Sequence, residues 1–166
     1  MPTPEPPTEM AEAESRSPMF TDELERQLDS GLRVPLPKDW RSLLITEFFL
    51  ITDSSKSYIK VFPRAEYERL VAKIDANPKL DETERNRHHE AIASSCKLVQ
   101  LDNAGRLTLP SKFCEEIGIK GTNATVTLKG AHKTFNIWNP AKLKKIESKP
   151  AGNGRALPSP KKFLGV

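Results

Sequence analysis

Leu28-Asp29-Ser30-Gly31-Leu32-Arg33-Val34-Pro35-Leu36-Pro37 returns later in the chain as Leu101-Asp102-Asn103-Ala104-Gly105-Arg106-Leu107-Thr108-Leu109-Pro110. Asp29, Arg33 and Pro37 meet Asp102, Arg106 and Pro110 at one constant offset of 73 residues. A repeated Leu-Asp-x-x-x-Arg-apolar-x-Leu-Pro implies two copies of one supersecondary unit, and such units bury their apolar faces against each other. It also implies two arginines in equivalent geometry. Matched cations on one rigid body suit a repetitive polyanion, and DNA is the natural first candidate.

The residues around the motif carry the repeat further. Leu24–Asp29 and Arg33–Leu36 read as short strands around a tight connection at Ser30-Gly31-Leu32, with each arginine expected on its own hairpin ribbon. Pro37 precedes a predicted helix over Lys38–Leu44, because proline is tolerated in the first helical turn. Glu47–Thr52 and Tyr58–Phe62 are strand candidates around the turn residues Asp53–Ser57. Pro63 opens a helix to about Asn77, where Tyr67, Leu70, Val71 and Ile74 recur at helical spacing. The second half runs in the same order. Strands are expected over Cys96–Leu101 and Arg106–Leu109, and a helix over Ser111–Ile117 closed by Gly118. Further strands fall over Ala124–Lys129 and Phe135–Trp138 around a turn at Gly130, and a last helix over Ala141–Ile146. Asp81–Ser95 reads as a linking helix capped by Asp81 or Thr83. The unit is β-β-α-β-β-α, twice.

Neither half is large enough to bury much core alone, so the expected fold is α+β, with the two repeats interleaved into one barrel-like core. The expected boundaries are a tail over 1–19, a first repeat over 20–78, a linker helix over 79–95, a second repeat over 96–147 and a basic tail over 148–166. Strand alternation turns Val34, Leu36, Leu107 and Leu109 inward and Arg33, Arg106 and Thr108 outward. Pro35 places its strand at an edge or in an exposed ribbon. Phe48, Phe49, Phe62, Phe135 and Trp138 are expected in the core.

Composition narrows the function. The 166 residues have 37% hydrophobic content and a net charge of +4, with mean hydropathy −0.53 and pI about 9.1. This mild basicity permits nucleic-acid binding without demanding it. The 14 prolines crowd toward the two ends, which read as solvated, disordered tails, acidic at the start and basic at the finish. No apolar run is long enough to span a bilayer. The acidic, proline-rich start is unlike a signal peptide, so a cytoplasmic location is expected. Cys96 and Cys114 lack paired spacing and read as reduced, partly buried thiols.

The Asp-x-x-x-Arg spacing has a physical logic. An aspartate ending one strand accepts hydrogen bonds from backbone N–H groups just downstream. Gly105 supplies positive φ within the turn; in the first copy Gly31 is the candidate for that flexible position. Asp102 can also hold the Arg106 guanidinium, pre-orienting a fork that matches phosphate oxygens or the guanine edge. A two-stranded ribbon fits a major groove. A single copy of this pattern would read as a local salt bridge stapling a hairpin.

Leu28-Asp29…Arg33…Leu36-Pro37…Trp40-Arg41, Leu101-Asp102…Gly105-Arg106…Leu109-Pro110, Val61-Phe62-Pro63…Tyr67-Glu68-Arg69-Leu70 and Asn136-Ile137-Trp138 together resemble the MraZ family of bacterial transcriptional regulators. The resemblance covers roughly Phe20 to Ile146. It implies two AbrB-like swapped-hairpin units in one chain, assembly of homo-oligomeric rings, and binding to direct repeats in the promoter of the cell-division and cell-wall operon. It also implies a location at the nucleoid. Arg33 and Arg106 fall on the family's DNA-contacting arginines, with Asp29 and Asp102 as their motif partners. The family pattern Asp-x-Lys-Gly-Arg is altered here. Gly31 and Ala104 stand where lysine is usual, Leu32 stands where the first glycine is usual, and Cys114 takes the place matching Arg41.

The resulting expectation is a sequence-specific regulator of double-stranded promoter DNA, with Lys38, Arg41 and Lys112 at the helix starts adding backbone contacts. Other motifs are bland. His88-His89 cannot share a helix face, Asp81, Glu82 and Glu84 suit a helix start, and no nucleophile or phosphate-loop motif appears. No enzyme activity, cofactor, metal or small-molecule substrate is expected. The alternative is an oligomeric protein-interaction scaffold without specific DNA binding.

Overall fold

The computed structural model describes residues 19–41, 45–121 and 123–148. The expected tails, apart from Met19 and Ser148, and the Ser42–Leu44 end of the first predicted helix lie outside these residues. The fold is mixed α+β, with eight strands, four α-helices and one 3₁₀ turn among the described residues.

A six-stranded antiparallel sheet runs β1 (Glu23–Gln27), β7 (Thr125–Gly130), β8 (Phe135–Trp138), β4 (Tyr58–Pro63), β3 (Glu47–Thr52), β5 (Lys97–Gln100). A separate two-stranded ribbon pairs β2 (Arg33–Pro35) with β6 (Arg106–Thr108). The helices are α1 (Arg64–Asp75), α2 (Glu82–Ser95), α3 (Ser111–Glu116) and α4 (Pro140–Ser148), and the 3₁₀ turn is Lys38–Trp40. None of these helices is long and apolar enough to cross a membrane.

The pairing exchanges strands between the halves. The β3–β4 hairpin of the first half receives β5 from the second, with Phe48 opposite Val99. The β7–β8 hairpin of the second half receives β1 from the first, with Leu24 opposite Leu128. The hairpins join along β4 and β8, where Ile59 faces Ile137. The expected β3–β4 and β7–β8 hairpins form, but the two motif hairpins, β1–β2 and β5–β6, do not form as ladders. Strands β1 and β2, though joined by a tight turn, pair with different partners in the other half, and so do β5 and β6. Pairing within each half would leave two small sheets with open edges and half a core each. Crossing over gives the edges partners and pools the apolar side chains.

That pooled core lies between the ribbon and one face of the sheet. Val34, Leu36, Leu107 and Leu109 come from the ribbon side. Phe48, Leu50, Ile59, Val61, Val126, Leu128, Phe135 and Ile137 come from alternate sheet positions, and all are buried. An aromatic cluster fills one end. Phe135 lies 5.0 Å from Phe20 and 4.9 Å from Trp40 between ring centroids, and Trp40 Nε1 donates to the Thr21 carbonyl at 2.8 Å. Phe49, Phe62 and Trp138 are not in this core. Their strand parity turns them to the opposite sheet face, where Phe49 stacks on Tyr67 of α1 at 3.8 Å and Trp138 packs on Tyr58.

Other sequence expectations shift by physical detail. The described part of the first predicted helix is a 3₁₀ turn, Lys38–Trp40, after which Arg41 has extended backbone (φ −88°, ψ 127°). Gly130 belongs to β7, and the turn falls at Ala131–Thr134; a Cβ on Gly130 would collide with the backbone of Phe20 and Thr21. Asp81 caps α2 through the Glu84 N–H at 2.8 Å. His89 meets Asp75 at 2.7 Å and ties α2 to α1.

Because the core is shared, loss of one central ring should weaken both halves together. Phe135→Ala is expected to cost about 3–5 kcal/mol while urea unfolding, followed by both Trp fluorescence and circular dichroism, remains one transition.

Candidate nucleic-acid interface

The ribbon carries both motif loops at its ends. In register, Arg33 faces Thr108, Val34 faces Leu107 and Pro35 faces Arg106. Beyond the ladder, the Leu36 N–H donates to the Gly105 carbonyl and the Leu109 N–H to the Leu32 carbonyl. The pattern has an internal pseudo-twofold axis at Val34–Leu107. With those two side chains buried, the intervening positions turn Arg33 and Arg106 to the outer face. The sequence placed them on two ribbons, but they share one, at diagonal positions about 7–8 Å apart by ordinary strand geometry. Pro35 is accommodated because both strands of an isolated pair are edges.

Each loop is built the same way. The Asp29 N–H donates to the Arg33 carbonyl and the Leu32 N–H to the Asp29 carbonyl; Asp102, Arg106 and Gly105 repeat these bonds. Asp29 Oδ1 accepts from the N–H groups of Gly31 and Arg33, each at 2.9 Å. Asp102 Oδ1 accepts from Ala104 and Arg106 at the same distances. The second carboxylate oxygen takes the guanidinium: Arg33 Nε to Asp29 Oδ2 at 2.8 Å and Arg106 Nε to Asp102 Oδ2 at 2.9 Å. Arg106 Nη1 also lies 3.7 Å from Asp29 Oδ2, linking the two loops. Holding Nε fixes the guanidinium plane, and both terminal nitrogens of Arg33 remain without partners among the described residues. The arginine side chains keep 39% and 35% of their surface exposed, enough to meet a ligand.

The loops need a left-handed residue before the arginine. Gly105 takes it at φ 76°, as expected. In the first loop Leu32 itself adopts φ 58°, so Gly31 does not supply that position. Gly31 instead lies under the guanidinium, where an added Cβ would stand 3.3 Å from Arg33 Nε. Leu32 tolerates the strain because its side chain packs against the core.

The helix-start cations divide. Arg41 is exposed and crosses to the second loop, where Nη1 lies 3.5 Å from the Ala104 carbonyl. A Cβ on Gly105 would collide with the Arg41 side chain. Lys38 is exposed at the 3₁₀ turn and forms no ion pair among the described residues. Lys112 faces a different region, a 690 Å³ groove shared with Ile51, Thr52, Ser95, Cys96 and Lys97. The sequence showed no link between Arg41 and the second loop, since they are far apart in the chain; the glycine at Gly105 was the one available signal of a close approach.

Hydrogen bonding sets the charge state. The backbone N–H of Arg33, before any Coulomb effect, holds the Asp29 carboxyl below its ordinary range, against partial desolvation. The Arg106 N–H does the same for Asp102. Both aspartates are therefore anions at neutral pH, so the loops balance charge internally, and Arg41 adds a further positive charge beside the second loop.

Comparison with known proteins agrees with the doubled architecture. The family model described as "MraZ protein, putative antitoxin-like" matches twice, over residues 19–89 and 92–159. The chain belongs to the MraZ family. Similar proteins in this family include the "Transcriptional regulator MraZ" of Caulobacter vibrioides, 29% identical over 73% of this chain and 77% of that protein. The protein of the same description in Cereibacter sphaeroides is 30% identical over 72% and 79%. That of Pelagibacter ubique is 28% identical over 78% and 83%.

Two outcomes test this geometry. Lowered folded-state values mean that the aspartates stabilise the loops fully above the ordinary carboxylate pKa of about 4, and that this contribution is lost as pH falls through the lowered values. Urea midpoints should fall more steeply below about pH 4 for the parent than for an Asp29→Asn/Asp102→Asn variant. Gly105→Ala, forced into positive φ against Arg41, should destabilise by roughly 1–2 kcal/mol; Ala104→Gly should not reproduce the loss.

Proposed function

We propose that the chain is a sequence-specific, double-stranded-DNA-binding transcriptional regulator, and that the β2–β6 ribbon is its reading element. The single observation that carries this is the pair of aspartate-oriented guanidinium groups on one outer face. A diagonal separation of about 7–8 Å fits both arginines within one major groove about 12 Å wide. Arg33 and Arg106 read base edges or phosphates, Asp29 and Asp102 orient them, and Gly105 keeps the second loop open. Arg41 and Lys38 add phosphate contacts. Lys112 contributes only where DNA extends past the ribbon.

The strand exchange between halves supports an AbrB-like swapped-hairpin arrangement of repeats over 20–78 and 96–147, joined by 79–95. The regulators of this description in related bacteria support a role in transcription, in the cytoplasm at the nucleoid. One protomer offers few cations, so tight binding requires several protomers on repeated promoter sites, where linked contacts raise the effective concentration. A ring on direct repeats of a cell-division and cell-wall promoter satisfies that requirement.

Arg33→Ala and Arg106→Ala are each expected to leave the circular dichroism spectrum unchanged. Each should weaken binding to the protein's own upstream promoter fragment by roughly 5- to 150-fold per site. The parent should lose affinity steeply with rising salt. Absence of any gel retardation at low salt would instead favour the interaction-scaffold function.

A further inference from the structure

The two loops are equivalent in backbone and in their Asp–Arg pairs, and a reader with perfect internal twofold symmetry cannot tell one direction along a duplex from the other. The copies differ in charge where Lys38 matches Ser111, Asp39 matches Lys112 and Arg41 matches Cys114, and of these side chains Arg41 is the one that contacts a motif loop among the described residues. Arg41 and Cys114 occupy matching places, four residues beyond Pro37 and Pro110 respectively. Arg41 is exposed and lies over the second loop, within 3.5 Å of the Ala104 carbonyl, in space left open by Gly105. Cys114 is buried in α3 and offers no cation to the first loop. There the left-handed position holds Leu32, whose side chain turns into the core. The second loop thus presents Arg106 together with Arg41, while the first presents Arg33 alone.

We infer that Arg41 is a specificity-determining residue that gives each protomer a fixed direction on DNA, by adding a third guanidinium beside only one of the two reading arginines. This rests on the DNA-reading function proposed above. Arginine at a groove edge can take a base edge or a phosphate bidentately, so the half-site under the second loop is read by two forks and the other by one. The preferred site is then non-palindromic despite a reader of near-twofold symmetry.

Selection from a randomised duplex library, followed by sequencing of the bound fraction, tests this with the full chain. Parent protein should enrich a motif without twofold symmetry. Arg41→Ala should lose base preference at one end only and leave the preference at the other end unchanged. Its affinity for the parent motif should fall by roughly 5- to 150-fold, and its salt slope by about one. Arg41→Lys, which keeps charge but not the fork, should restore the salt slope and not the end preference. Because Arg41 is exposed, the variant's folding is verified by an unchanged urea midpoint. A palindromic motif from the parent, or an Arg41→Ala motif identical to the parent's, overturns the inference while leaving DNA binding intact. Failure of the parent to enrich any sequence overturns the DNA-reading function itself.

Discussion

Everything in this molecule depends on the antiparallel contact between β2 and β6, centred on Val34 and Leu107. It is a short ladder, and three residues a side would not hold in water as a free hairpin. It holds because its inner face is the lid of a core whose floor is the six-stranded sheet. Burial of Val34, Leu36, Leu107 and Leu109 at the ribbon stabilises the pairing, and the pairing in turn fixes where the two Asp–Arg loops stand. The stability of the fold and the geometry of the candidate interface are one constraint.

The strand exchange makes that constraint strict. Since β1 belongs to the β7–β8 hairpin and β5 to the β3–β4 hairpin, neither half retains a complete sheet without the other. The chain enters each motif loop from the sheet and leaves it into the ribbon, so the loop is clamped at both ends by different layers. This clamp lets a leucine sit at positive φ in the first loop. It also lets a surface ion pair, ordinarily worth little, act as an orienting device: the Nε bond limits the rotation of a guanidinium whose backbone is already immobile.

Much of the fold was legible in the chain. The constant offset between Asp29 and Asp102 announced two copies. Alternation around Arg33 and Arg106 separated inner from outer side chains correctly, and proline and glycine marked most element ends to within a residue or two. The misreadings share one cause, which is that periodicity reports what a segment is and not what it pairs with. Phe49, Phe62 and Trp138 have the composition of core residues, but their parity puts them on the far face of the sheet, where Phe49 stacks on Tyr67 and Trp138 packs on Tyr58. Arg41 and Gly105 are remote in sequence, so their close approach had no local signature.

The sequence by itself determined the duplication, most of the strand and helix inventory, the Asp-to-backbone loop chemistry and the inward set Val34, Leu36, Leu107 and Leu109 of the ribbon. All of these follow from short-range sterics, hydrogen bonding and hydrophobic periodicity. Tertiary structure alone decided that both arginines share one ribbon, that the ladders cross between halves, and that Arg41 rather than Lys112 stands beside a motif loop. Those outcomes depend on which edges meet when the two half-cores are pooled, and long-range closure of that kind leaves no mark on neighbouring residues.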